Sequence, residues 1–209
     1  MMNKPKIYNK VAVGIYLLLA IIFFFIRGWF VAVPTLFAAV AAATNCKAGG
    51  NMIPLALLAS AAGDYAGSTG NFIMQVAFFA VAHIFYICDF VPRRASLRSN
   101  ASYATILAVV TISYLGFVLS HIESQVEFIA VAIYGLIIFT MGATAIFQQR
   151  PLKWWYVGAA LLFILSDSLI VLGKYITTIP HSSIWIMTTY YAAQGIFMTL
   201  HLNRKSLAD

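Results

Sequence analysis

The sequence predicts an all-α, polytopic integral membrane protein of eight transmembrane helices with both termini cytoplasmic, and two observations carry that prediction. Hydrophobic residues fill 62% of the 209 positions and charged residues only 9%, with a mean hydropathy of +0.89. That is more apolar surface than one water-soluble core encloses. At ~20 apolar residues per crossing helix the chain has room for about eight spans and none for a separate soluble domain. The second observation is where the basic residues fall. With the N-terminus inside, the inner segments hold Lys4, Lys6, Lys10, Lys47, Arg93, Arg94, Arg98, Arg150, Lys153, Arg204 and Lys205, and the outer loops hold only Arg27 and Lys174. Eleven inside against two outside is the bias that retains cytoplasmic loops, and an odd helix count would scramble it.

Cut where charges or Gly/Pro/Asn clusters interrupt the apolar runs, the spans lie near 11–26, 29–46, 52–69, 72–91, 101–120, 125–147, 154–173 and 182–202, forming one transmembrane domain over 1–209. The first follows three lysines like a signal peptide, but it runs into Arg27-Gly28-Trp29 without a small-x-small cleavage site and is read as a retained helix. The second begins at Trp29, an interfacial anchor, as are Tyr8, Trp154 and Trp155 near other span ends. The third is bounded by Gly49-Gly50-Asn51 and Gly70-Asn71, and the fourth stops at Pro92-Arg93-Arg94. The fifth follows Arg98 and Asn100, the sixth ends before Arg150-Pro151, the seventh before Lys174, and the eighth before Asn203-Arg204-Lys205. The net charge of +7 is spread singly between these runs. It forms no stripe that would hold nucleic acid, so topology accounts for it. Cys46 and Cys88 form no C-x-x-C pair, and near cytoplasmic helix ends they are expected to stay reduced.

Three acids lie inside the spans. Asp89, at the inner end of the fourth, is expected to form an interfacial ion pair with Arg93 and Arg94. Asp64 and Asp167 are each about 18–20 Å along a helix that runs from inside to outside, so they share a depth. A charged aspartate at mid-bilayer costs at least ~2.5–3.5 kcal/mol, which directs both toward the bundle interior or a wet cavity. A lone buried acid can serve as packing glue, but two at one depth point to a shared polar site. Two stripes can face them: Gln75, Phe79, His83 and Tyr86 in the fourth span, and Tyr190, Gln194, Phe197 and His201 in the eighth. Gly63, Gly67, Gly70, Ser60 and Ser166 flank the acids and permit close helix approach. Gly63-Asp64 and Ser166-Asp167, each followed one helix later by a polar stripe, suggest two four-helix halves in parallel orientation. No G-x-S-x-G, H-E-x-x-H, Walker or C-x-x-C pattern occurs.

The segments "SAAGDYAGSTGNFIMQVAFFAVAHIFYICDF" (60–90), "GAALLFILSDSLIVLGKY" (158–175) and "TYYAAQGIF" (189–197) resemble the YhhN-like lysoplasmalogenase family of eight-helix membrane proteins. The matching features are a Gly-Asp, a His-x-x-Tyr one helix later, a Ser-Asp helix and a Tyr-Tyr-x-x-Gln helix; spans one, two, five and six agree in number and size. The resemblance implies hydrolysis of the vinyl ether of lysoplasmalogens to a fatty aldehyde and a glycerophospho-base, with Asp64 and Asp167 as the catalytic pair. Such a reaction protonates the β-carbon and captures an oxocarbenium-like species with water, a task two buried carboxyls can divide. His83, Tyr86, Tyr190 and Gln194 are expected to orient the acids, water or lipid headgroup. No cofactor and no metal are expected. The partners are a lysophospholipid substrate and the bilayer, without nucleic acid, and the oligomeric state is left open. In a bacterium the location is the inner membrane. Two other readings of the same residues stay open: a proton-coupled transporter using paired acids, and a metal-dependent lipid hydrolase using His83 with both aspartates.

Overall fold

The computed structural model describes residues 7–46, 50–91 and 100–204. Of the basic residues that define the sidedness pattern, Lys4, Lys6, Lys47, Arg93, Arg94, Arg98 and Lys205 lie outside those segments. Within them the chain folds into eight α-helices: α1 (Ile7–Ile26), α2 (Ala32–Ala43), α3 (Met52–Ser68), α4 (Phe72–Phe90), α5 (Ala101–Leu119), α6 (Gln125–Phe147), α7 (Lys153–Tyr175) and α8 (Ser182–Leu202), with a short 3-10 turn over Gly28–Val31 leading into α2. Five of them, α1, α4, α5, α6 and α7, are long and apolar enough to cross a membrane. Of the others, α2 is short, α3 has 17 residues, and α8 mixes Tyr, Thr, Gln and His into its apolar run.

Local chemistry sets the helix ends. Asn71 caps α4 by accepting from the Met74 amide (3.1 Å), and Gly70 before it takes φ +79°, a conformation that spares only glycine a steric cost. Ser124 accepts from the Glu127 amide and starts α6. The α3–α4 and α7–α8 hairpins are the two most closely packed pairs; α2 lies against α3 and α8, and α6 against α4. The interfaces are built from small residues, with Ala38, Ala42, Ala56, Ala159, Ala160 and Ala193 fully or almost fully buried, so backbones approach closely where no water drives association. Between them a layer of rings fills the centre: Tyr86 stacks on Phe197 (4.3 Å), and Phe163 meets His83 (4.6 Å) and Tyr190 (5.3 Å) edge-on. Leu17, Leu18, Ile21 and Phe25 of α1 face outward, as do Ile106, Val109 and Ile112 of α5.

Gly63 marks a tight α3–α4 contact against a ring beside the site. A Cβ there would come within 2.8 Å of the Phe79 ring, which is itself wedged against Phe163 and Tyr190. Overpacking of this kind costs about 1–3 kcal/mol, so Gly63→Val is expected to lower stability by that amount in a detergent-resistant unfolding titration.

Asp89 is buried at the C-terminal end of α4. Among the described residues it pairs with Arg150 (2.8 Å) and with Arg204, both largely buried. The expected partners Arg93 and Arg94 fall outside the described segments. Arg150 thus belongs to an interior ion cluster as well as to the α6–α7 connection. Cys46 and Cys88 are free thiols.

Candidate active site

Helical periodicity puts the polar side chains on facing stripes. Ser60, Gly63, Asp64 and Gly67 lie at i, i+3, i+4, i+7 on α3, and Phe163, Ser166, Asp167 and Ile170 do so on α7. Because these stripes face the interior, both acids are only 5% exposed.

Each acid is held by a tyrosine hydroxyl from another helix. Asp64 on α3 accepts at Oδ2 from the Tyr190 hydroxyl of α8 (2.8 Å), and Thr35 of α2 bonds weakly to that same hydroxyl (3.4 Å). Asp167 on α7 accepts at Oδ2 from the Tyr134 hydroxyl of α6 and lies 3.4 Å from His83 Nε2 of α4. His83 Nε2 is 2.8 Å from Tyr134 Oη. With that nitrogen protonated, the three form a chain in which His83 donates to Tyr134 and Tyr134 donates to Asp167. The second oxygen of Asp167, Oδ1, is buried without a hydrogen bond among the described residues, as is His83 Nδ1. A buried acceptor left unmatched costs free energy, so the site is strained toward a proton or a ligand there.

Asp64 and Asp167 open onto one cavity of about 100 Å³, lined also by Val31, Gln75, Ser166 and Tyr190. At roughly 30 Å³ per molecule it holds a few waters or the polar end of a ligand. Two carboxyls, a phenol and an amide around such a space can donate a proton, accept one and position water. Among the described residues no three His, Cys, Asp or Glu side chains cluster as ligands for a metal ion.

The site is not at the helix midpoints. Asp64 is four residues from the end of α3 and Asp167 eight from the end of α7, or about 6 and 12 Å of helical rise. The sequence reading runs α3 to 69, one residue past its end at Ser68, and the helix breaks where Gly70 and Asn71 begin the turn. The cavity therefore sits toward the face that carries the α1–α2, α3–α4 and α7–α8 connections.

Of the other residues singled out in the sequence, Tyr190 touches both the cavity and Asp64, and His83 backs Asp167. Tyr86 and Gln194 bond to one another (Oη to Oε1, 2.7 Å) and do not line the cavity. They lie on the same faces but one turn further from the acids, against Phe197. His201, at the far end of that stripe, is buried away from the cavity. Tyr134 and Thr35 join the site from spans in which the sequence offered no motif.

The sequence profile of the YhhN family matches residues 24–200. The chain belongs to the YhhN family. The match includes α2 to α7 and nearly all of α8, hence every residue of the cavity. Among curated proteins the chain is 36% identical to "Lysoplasmalogenase TMEM86B" of Homo sapiens over 140 residues, covering 66% of this chain and 58% of that protein. It is 35% identical over 129 residues to the protein of the same name from Rattus norvegicus, covering 62% and 51%. It is 28% identical over 146 residues to "Lysoplasmalogenase" of Mycobacterium bovis, covering 66% and 56%. The matched stretch spans a little over half the length of these relatives. No solved structure matches the chain.

Proposed function

We propose that this YhhN-family chain is an intramembrane lipid hydrolase that cleaves the vinyl ether of lysoplasmalogens, releasing a fatty aldehyde and a glycerophospho-base, with Asp64 and Asp167 as an acid–base pair. The observation that carries the reading is that both carboxyls open onto one 100 Å³ cavity, each held by a tyrosine hydroxyl. The names of the relatives supply the substrate class. Vinyl ether hydrolysis needs an undissociated acid to protonate carbon and a base to activate water. A pair of buried carboxyls sharing one proton provides both without a cofactor, since two negative charges cannot be held together at low dielectric. The reaction resembles glycoside hydrolysis in passing through an oxocarbenium-like species between two carboxyls.

In this reading the chain is a single transmembrane domain of eight spans with both termini cytoplasmic, lying in the inner membrane if its source is bacterial. Tyr190 orients Asp64 and touches the substrate's polar end, His83 orients Asp167, and the Tyr86–Gln194 bond supports His83 and Tyr190 from below. The decisive assay presents purified protein in lipid nanodiscs with lysoplasmalogen and with its acyl counterpart. Aldehyde from the first and no fatty acid from the second is expected, unchanged by chelators. Release of fatty acid alone would overturn the vinyl ether assignment, and reversible loss with chelator would turn it toward a metal-dependent hydrolase.

Two further outcomes follow from the proposal. Reporter fusions after Arg98 and after Asp209 are expected to read cytoplasmic, and a C-terminus on the far side would overturn the eight-span topology. Tyr190→Phe removes the hydroxyl held by Asp64 and leaves a buried acceptor unmatched, a loss of ~1–3 kcal/mol. Turnover is expected to fall on the order of tenfold to a hundredfold by aldehyde release, less than for loss of either acid.

A further inference from the structure

Resting on that hydrolase reading, we propose that the substrate's single hydrocarbon chain lies in an apolar groove between α5, α6 and α7, and that Asp167, which the groove shares with the polar cavity, protonates the vinyl ether while Asp64 manages the water. The groove has a volume of about 400 Å³, within the ~300–1,000 Å³ usual for ligand sites. Leu107, Val110, Val131, Ile138 and Leu165 form much of its wall. Two hydroxyls along it are turned into the backbone: Tyr114 donates to the Ser168 carbonyl (2.6 Å) and Ser168 to the Ile164 carbonyl (2.7 Å). The rest of the lining is hydrocarbon apart from Thr111, Tyr134 and Asp167, and the last of these also lines the polar cavity.

Asp167 is the one acid common to this groove and the small polar cavity; Asp64 lines only the latter. A single-chain lipid with its tail in the groove and its glycerol in the cavity must pass its first carbons across Asp167. α5 buries only Leu107 and Val118 and exposes its remaining apolar face, so the outer wall of the groove is a lightly held helix that a lipid can pass laterally. A second apolar cavity of about 430 Å³, between α1 and α8 beside Tyr16 and Trp155, touches neither acid and gives the reacting carbons no carboxyl to meet.

This order along the lipid fixes the roles. In R–CH=CH–O–glycerol the carbon to be protonated is the one next to the chain, so it lies beside Asp167; the carbon attacked by water carries the ether oxygen and lies toward Asp64. Oδ1 of Asp167 has no hydrogen bond among the described residues, while Oδ2 faces Tyr134 and His83. The carboxyl therefore gives its proton from Oδ1: a C–H bond forms, the double bond breaks, and positive charge moves to the carbon bearing oxygen. Water adds there and its proton passes to the Asp64 carboxylate. Asp64 then returns that proton to the departing glycerol oxygen as the C–O bond breaks, and the hemiacetal hydroxyl proton restores Asp167. One water is consumed and both acids end as they began.

The test runs in D2O with purified protein in lipid nanodiscs, reading released aldehyde and unreacted lysoplasmalogen by mass spectrometry. With Asp64→Asn, protonation at carbon still occurs and reverses because water capture is slowed, so recovered lipid is expected to carry deuterium on the vinyl carbon next to the chain. With Asp167→Asn, recovered lipid is expected to remain unlabelled. The opposite pattern, or label with both variants or with neither, overturns the assignment; Asp64→Ser and Asp167→Ser repeat the comparison should an amide not be accommodated. The chain's seat is read without turnover. A saturated lysolipid carrying a mid-chain diazirine is expected to crosslink to peptides of α5, α6 and α7 around Val110 and Leu165, and crosslinking to α1 and α8 around Tyr16 overturns the seat. Wild-type protein that crosslinks in the groove but releases no aldehyde would refute the hydrolase reading while upholding the chain site.

Discussion

Asp64→Asn and Asp167→Asn are each expected to leave the helical bundle intact and to remove nearly all aldehyde release. The amide matches the carboxylate in size and keeps an oxygen to accept from Tyr190 or Tyr134. Both sites are buried, so removing a charge there relieves the penalty of holding it away from water, and stability is not expected to fall. What the amide lacks is a proton to give or a basic oxygen to take one. General acid or base assistance is worth about 10²–10⁴ in rate per group, so either single variant should lose at least that factor by a fluorescent or mass-spectrometric aldehyde assay. Because the two acids open onto one cavity and the second step uses what the first produces, the double variant should be little worse than either single one, as for residues that act as a unit. Circular dichroism matching the wild type with full turnover in either variant would remove that aspartate from the chemistry.

The helices and the acids were legible in the sequence for the same reason: in an apolar run of twenty residues a break or a carboxylate is conspicuous. "LLFILSDSLIVL" announces Asp167, and the α3–α4 turn is written in Gly70-Asn71. The partners were legible only in part. His83 and Tyr190 emerge from 3.6-residue periodicity because other polar residues share their stripes. Tyr134 and Thr35 stand alone in "FIAVAIYGLIIF" and "VAVPTLF", where a tyrosine or threonine is usually an interfacial or backbone-bonded residue, and nothing local says that Tyr134 reaches the acid of the next helix or Thr35 the Tyr190 hydroxyl of α8. Periodicity also names a face but not a level along it, so Tyr86 and Gln194 look equivalent to His83 and Tyr190 until packing separates them by a turn. The Asp89 cluster shows the same limit: among the described residues Arg150 and Arg204 reach it from the α6–α7 connection and the end of α8, which no local pattern announces.

That cluster carries the largest stability effect expected in the molecule. Asp89→Ala is expected to destabilise the fold by about 3–5 kcal/mol, the usual result of removing one partner from a buried ion pair. Arg150 donates through Nη1 to the Asp89 carboxylate (2.8 Å) and through Nη2 to its backbone carbonyl (2.7 Å), with its guanidinium 4.5 Å from the Tyr156 ring centre. Arg204 donates to the same carboxylate oxygen as Arg150. Burial alone would favour loss of the Arg204 proton, but the carboxylate beside it outweighs this and holds the guanidinium above its ordinary pKa. Taking the carboxylate away removes a shared countercharge from two cations that are 6% and 10% exposed. Asp89→Asn keeps the shape and some hydrogen bonding and should lose less. Replacing Asp89, Arg150 and Arg204 together by apolar residues of similar volume should cost least of the three, since no charge is then left buried alone. The measurement is reversible unfolding in mixed micelles, scored against turnover per folded molecule. Phe79, the nearest cavity residue on α4, and Asp89 are ten residues apart, about 15 Å of helical rise, so the folded fraction of each variant should retain its specific activity. An Asp89→Ala protein as stable as the wild type would refute the clasp, and one that is folded but inactive would tie this end of the bundle to the chemistry at the other.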